Sequence, residues 1–173
     1  MLWGLMVGNG VLWGVPVLLC GSYRRALDDK LRLAIPSSWR EGLGFPDLRL
    51  YLAPSTDGSL ALYPEPCLQA LARRLDQQSP AATVARHFRR LFYSRIEGVE
   101  VDRQGRIRIP AELLSLTGAQ GEIMLIGVGD HIELWSVDAW QRFIEQQTAR
   151  FDEFAAEALA VRTGSAGAEP EGD

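Results

Sequence analysis

The sequence predicts an α+β protein with a mainly β core, built as two tandem, pseudo-symmetric half-domains with peripheral helices. Three observations predict it. Leu27-Asp28-Asp29-Lys30-Leu31-Arg32-Leu33-Ala34-Ile35-Pro36 returns as Val101-Asp102-Arg103-Gln104-Gly105-Arg106-Ile107-Arg108-Ile109-Pro110, at a constant spacing of 74 positions. Each copy is followed by a short helix-like segment and then by two strand-like runs around a turn signal. Segments of helical period lie between the copies and after the second. With 173 residues and 47% hydrophobic content, the chain can bury a sizeable core in one compact domain or two small fused ones.

The chain opens with an apolar leader, residues 1–18, within a run of twenty uncharged residues that ends at Cys20. Three readings stay open for it: a stretch translated from a misplaced start, a weak membrane-associating segment, or a true signal. Length alone would allow a membrane span. Four glycines, Pro16 and the absence of Lys or Arg weigh against a span or a signal, and Leu18-Leu19-Cys20 is a poor cleavage site.

The first half-domain is placed at 19–79. Strands flank Asp28 to Arg32, and Ile35-Pro36 leads into a short helix from Ser37 to Leu43, with Pro at its first helical position and Gly44 as its stop. Leu48 to Leu52 and Leu60 to Tyr63 form a hairpin around Ser55-Thr56-Asp57-Gly58. A helix from Pro66 to Asp76 follows. Residues 80–94 read as a connecting helix, with Val84, Phe88, Leu91 and Phe92 on one side and Arg86, Arg89 and Arg90 on the other. That basic side reads first as a solvated face.

The second half-domain, 95–160, repeats the order, with a short helix from Ala111 to Thr117 stopped by Gly118. Strands at Glu122 to Val128 and Ile132 to Trp135 precede a helix from Val137 that Ser136 can cap. Here the spacing falls to 72, so the first copy's turn is two residues longer. The last helix is expected to outrun its counterpart, carrying Trp140, Ile144, Phe151, Phe154 and Ala158 as a stripe able to pack on the body or on a neighbouring subunit. Residues 161–173 read as a disordered acidic tail.

Composition excludes several function classes. Two cysteines cannot staple a chain of this length, which favours a reducing compartment. His87 and His131 stand apart from any Cys or second His at ligand spacing, so no metal and no cofactor are expected. Catalysis is equally unsupported: Ser37, Ser38 and Ser115 have no His and acid partners in pattern, and neither a Gly-x-Ser-x-Gly elbow nor a phosphate-cradling Gly-x-x-x-x-Gly-Lys occurs. The net charge of −4 argues against nucleic acid at first sight. Its distribution argues otherwise, with fifteen Lys and Arg against ten Asp and Glu from Gly21 to Pro110, and three against twelve from Ala111 to Asp173.

The repeated pattern carries the chemistry. The two-residue period of a strand sets Leu31, Leu33 and Ile35 on one face and Asp28, Lys30 and Arg32 on the other; in the second copy Ile107 and Ile109 oppose Asp102, Arg106 and Arg108. A guanidinium offers a planar fork for a guanine edge or a phosphate, and a carboxylate four residues away across a tight turn can orient it. Asp28 and Asp102 are thus orienting groups for Arg32 and Arg106. The plain alternative is an Asp that satisfies turn amides beside an Arg in a surface ion pair. Finding the pair twice, with Arg24, Arg25 and Lys30 near one copy and Arg103 and Arg108 near the other, favours DNA binding by Arg32, Arg106, Lys30, Arg108, Arg103 and Arg24.

With these two motifs, the chain resembles the MraZ family over about Leu19 to Phe151. The resemblance implies tandem AbrB-like, swapped-hairpin half-domains of double-psi β-barrel type. It implies a cytoplasmic, nucleoid-associated regulator of the division and cell-wall gene cluster, mostly a repressor of its own promoter. It also implies a ring-like homo-oligomer that sets several Asp-x-x-x-Arg turns on short, repeated, G-rich boxes of double-stranded DNA. Asp28 with Arg32 and Asp102 with Arg106 match the motif. A start at Val17 or Leu18 would suit the family, which favours the misplaced-start reading of the leader; membrane association is not expected. Leu31 departs from the pattern, standing where Gly is usual while Gly105 keeps it. If that position needs a positive φ, leucine is costly and the first turn should be reshaped, leaving the second the better formed. The rival readings are an oligomeric assembly or membrane-peripheral protein without DNA specificity, and an antitoxin-like relative, which its usual single-copy architecture disfavours.

Overall fold

The computed structural model describes residues 18–40, 43, 49–77 and 83–160. Most of the leader, Gly44, the start of the third strand and the acidic tail lie outside them. Residues up to Val137 form one compact unit and those from Asp138 a second. The fold is mixed α+β with a mainly antiparallel sheet.

The first copy supplies β1 (Leu19–Ala26), β2 (Arg32–Ala34), α1 (Ser37–Arg40), β3 (Leu50–Pro54), β4 (Leu60–Pro64) and α2 (Glu65–Asp76). After α3 (Thr83–Tyr93), the second copy supplies β5 (Glu97–Val99), β6 (Arg106–Arg108), α4 (Ala111–Thr117), β7 (Glu122–Gly129), β8 (Ile132–Ser136) and α5 (Val137–Gln147). Pro110 stands one position before the helix, as the N-cap of α4. Gly118 closes α4 in the left-handed region at φ 65°, where glycine escapes the Cβ penalty.

The strands of the two copies are interleaved. One sheet runs β1-β7-β8-β4-β3-β5, so the first strand of each copy lies on the hairpin of the other, and β4 joins β8 at the centre. β2 and β6 form a separate antiparallel pair that aligns Arg32 with Arg108, Leu33 with Ile107 and Ala34 with Arg106. Period-two patterning predicted which face each strand buries, and it holds here: Leu33, Ile107 and Ile109 are fully buried while Arg108 is exposed. One hydrophobic core draws on both copies, including Leu50, Leu52, Leu60 and Leu62 from the first and Ile123, Leu125, Ile132 and Leu134 from the second.

α3 is a helix with the apolar side that its period predicted, but of that side only Phe92 is buried, and Val84, Phe88 and Leu91 are exposed. The long final helix is broken: α5 ends at Gln147, a 3₁₀ turn spans Thr148–Arg150, and α6 runs Phe151–Ala160. Neither Pro nor Gly marks that break, so the apolar period read straight through it. Within this second unit Trp140 stacks on Phe143, and Arg150 pairs with Glu153 and lies over Phe154, while Ile144, Phe151 and Leu159 are exposed. No helix among the described residues is long and apolar enough to cross a membrane.

Candidate nucleic-acid interface

Each predicted turn is closed by its aspartate. Asp28 N–H donates to the Arg32 carbonyl at 3.1 Å and Leu31 N–H returns to the Asp28 carbonyl at 3.0 Å; the matching bonds at Asp102, Gly105 and Arg106 are both 2.8 Å. Asp28 Oδ1 accepts the amides of Lys30 and Arg32 at 2.9 Å, and Asp102 Oδ1 accepts those of Gln104 and Arg106 at 2.9 and 3.0 Å. The second carboxylate oxygen takes the arginine, Nε to Oδ2 being 2.7 Å in the first turn and 2.8 Å in the second. One short side chain thus satisfies the turn amides and fixes the guanidinium, which is why Asp suits this position.

Binding through Nε has a chemical consequence. The outer Nη groups of Arg32 and Arg106 hydrogen-bond no described residue, and only Nη1 of Arg106 comes near a second carboxylate, 3.8 Å from Asp28. Each fork is therefore held by its inner edge and offers its outer edge to an acceptor from outside. The side chains of Arg32 and Arg106 are 32% and 27% exposed, which leaves both reachable.

Backbone amides, and then the arginine side chain, hold each aspartate below its ordinary carboxylate value of 3.8. A folded value lowered in this way stabilises the turn above the unfolded value and loses that stabilisation as pH falls through the folded one. In an NMR titration, the amides of Lys30, Arg32, Gln104 and Arg106 should therefore keep their shifts from neutral pH to about 4 and move only below it. Midpoints above about 4 would contradict the hydrogen-bonded turn.

The two turns are interlocked. Ile109 N–H donates to the Leu31 carbonyl and Ile35 N–H to the Gly105 carbonyl, both at 2.9 Å. The β2–β6 ladder then places Arg32, Arg106 and Arg108 on one face, with Ala34 where symmetry would put a fourth arginine. These three arginines also line an open cleft of about 600 Å³ that extends to Gly98, Val99, Glu100 and Val101.

The other predicted contacts are placed differently. Lys30 and Arg103 are exposed at the turn tips, one basic residue to each. Arg24 lies on the large sheet and is paired through two bonds with Glu122, whose carboxyl it holds below the ordinary range. It does not join the β2–β6 cluster. Arg25 lies over the ring of Tyr23.

Leu31 corrects an expectation. Its φ is +58°, beside +76° at Gly105, so the leucine adopts the conformation that glycine was expected to require. The first turn is not reshaped and keeps every hydrogen bond of the second. A left-handed leucine costs about 1–2 kcal/mol. Leu31 is partly buried against the shared core, and that burial offsets part of the cost.

Arg40 is a residue that sequence reading missed. A Cβ on Gly105 would fall on the Arg40 guanidinium, so glycine there leaves room for that group. Arg40 Nε donates to the Ile35 carbonyl at 3.1 Å. At the spacing of 74, Arg40 matches Leu114, a core residue, just as Gly105 matches Leu31. The copies therefore differ by a paired exchange, Leu31 with Leu114 against Gly105 with Arg40. Aligning the repeats beyond the ten-residue motif would have revealed it.

Comparison with known proteins shows what the chain is similar to. The family model described as "MraZ protein, putative antitoxin-like" matches residues 93–162. A transcriptional regulator MraZ of Pelotomaculum thermopropionicum is 34% identical over 147 residues, covering 85% of this chain and 99% of that protein. Proteins of the same name from Lactiplantibacillus plantarum and Thermomicrobium roseum are 35% and 37% identical, covering 78% and 71% of this chain and 94% and 84% of their own lengths.

Proposed function

The chain belongs to the MraZ family, and we propose that it is a sequence-specific DNA-binding transcriptional regulator that reads double-stranded DNA through its two Asp-x-x-x-Arg turns. The observation that carries this reading is the pair of guanidinium forks, each held at Nε by an aspartate with its outer edge open, set beside Arg108 on one face. Such forks suit guanine edges in the major groove, while exposed Lys30 and Arg103 at the tips suit phosphates. A two-stranded ribbon such as β2–β6 is narrow enough to enter that groove. Arg24 is assigned a supporting electrostatic role, because Glu122 neutralises much of its charge.

The function includes repression of its own division and cell-wall gene cluster from repeated promoter boxes, in the cytoplasm and at the nucleoid, with no cofactor. Tandem AbrB-like swapped hairpins of double-psi type describe the interleaved strands. Apolar side chains exposed on α3, α5 and α6 support a homo-oligomer, ring-like in form, that brings several pairs of turns to adjacent boxes.

Fluorescence anisotropy with a duplex from upstream of the gene and a scrambled duplex of equal length tests this. The upstream duplex should bind at least about 10³-fold more tightly at physiological salt. Equal binding of the two would end the reading.

A further inference from the structure

The paired exchange between the copies makes the two turns unequal in charge as well as in backbone. Arg40 projects from α1 and covers Gly105, the residue immediately before Arg106, which is buried as a result. Its Nε donates to the Ile35 carbonyl, and the N–H of that same residue donates to the Gly105 carbonyl, so the guanidinium is tied to the second turn through the backbone of one residue. Its Nη groups hydrogen-bond no described residue, and no carboxylate among the described residues lies within ion-pair distance. Arg40 is thus a half-buried cation held by Nε whose Nη groups have no hydrogen-bond partner among the described residues, as in Arg32 and Arg106, but without their neutralising aspartate. The position that matches Arg40 in the second copy is Leu114, an uncharged core residue on α4, and the position that matches Gly105 is Leu31.

We infer that Arg40 binds a DNA phosphate beside the second turn, and that the first turn has no such anchor. The inference rests on the DNA-binding reading above. Arg40 comes from α1 and not from the strand face that carries Arg32, Arg106 and Arg108, so its acceptor is the sugar-phosphate wall flanking an inserted ribbon. Because Nε is already held, little side-chain freedom remains to be lost on binding. One chain therefore binds DNA with a direction: the second turn has a pre-held anchor to the backbone besides its tip residue, and the first has its tip residue alone.

The test is the salt dependence of binding, measured with the full chain on the upstream and scrambled duplexes. Arg40→Gln should make the slope of log K against log salt about 0.9 shallower for each second turn engaged. It should weaken both duplexes by the same factor and leave the preference between them intact. Arg40→Lys, which keeps the charge but loses the Nε bond, should restore most of the slope. An unchanged slope in Arg40→Gln, or a fall in its unfolding midpoint with the slope kept, would show a purely structural arginine and overturn the anchor. If Arg106→Ala abolishes the preference while Arg40→Gln leaves the slope alone, the anchor fails and the DNA-binding reading stands. A wild-type chain with no preference overturns both.

Discussion

Replacing Arg32 and Arg106 together by alanine will abolish discrimination between the upstream and scrambled duplexes, each fork lost costing about 1–3 kcal/mol, or about 5-fold to 150-fold in affinity. The fold should persist. Asp28 and Asp102 still accept two backbone amides each in the double variant, so the turns keep their closing bonds. The lost ion pairs are partly exposed, and such pairs contribute at most about 1 kcal/mol. The two substitutions should also couple, because Arg106 lies 3.8 Å from Asp28 as well as beside its own aspartate. Removing Arg106 alone therefore disturbs the first turn, and the double variant should lose less than the sum of the singles. Binding and thermal unfolding of all three variants check this; a double variant that still prefers the upstream duplex would remove the arginines from the interface.

Ile107→Ala is the second large effect and acts from below. Ile107 is fully buried at the middle of β6, opposite an equally buried Leu33, with Arg106 and Arg108 on the strand's other face. Truncating such a side chain costs about 2–5 kcal/mol in transfer and cavity terms, a large share of the stability of a domain this size. The β2–β6 ladder carries both turns, so both should lose their position at once and DNA affinity should fall for the whole chain. Denaturant unfolding should show the midpoint moving with little change in slope. A loss below about 1 kcal/mol would mean that the ladder is not the base on which the turns rest.

Much of this was legible in the sequence. The spacing between Asp28 and Asp102 revealed the repeat, alternation placed Leu33 and Ile107 inward and Arg32 and Arg106 outward, and Gly118 marked the end of α4. Alternation tells a strand which face to bury but not which strand to join, so the placement of β1 on β7 followed only from three-dimensional pairing. Leu31 misled because backbone preference is local, whereas its compensation comes from the core. Arg40 escaped notice because it reaches Gly105 across sixty-five positions, a contact made only when the copies interleave. The period along α3 identified an apolar side correctly but could not say what, if anything, would cover it.

Interleaved strands also bear on how the two copies could come to differ. A single copy would have to borrow its missing strand from an identical molecule, and every substitution would then appear on both sides of a true twofold axis. Covalent fusion ends that constraint, because each position is encoded separately and its mate is always at hand at high effective concentration. A leucine can stand on one side and a glycine with its arginine on the other, and neither has to be tolerated twice. Duplication within one reading frame thereby turns a symmetric clasp into one with a distinguishable left and right hand.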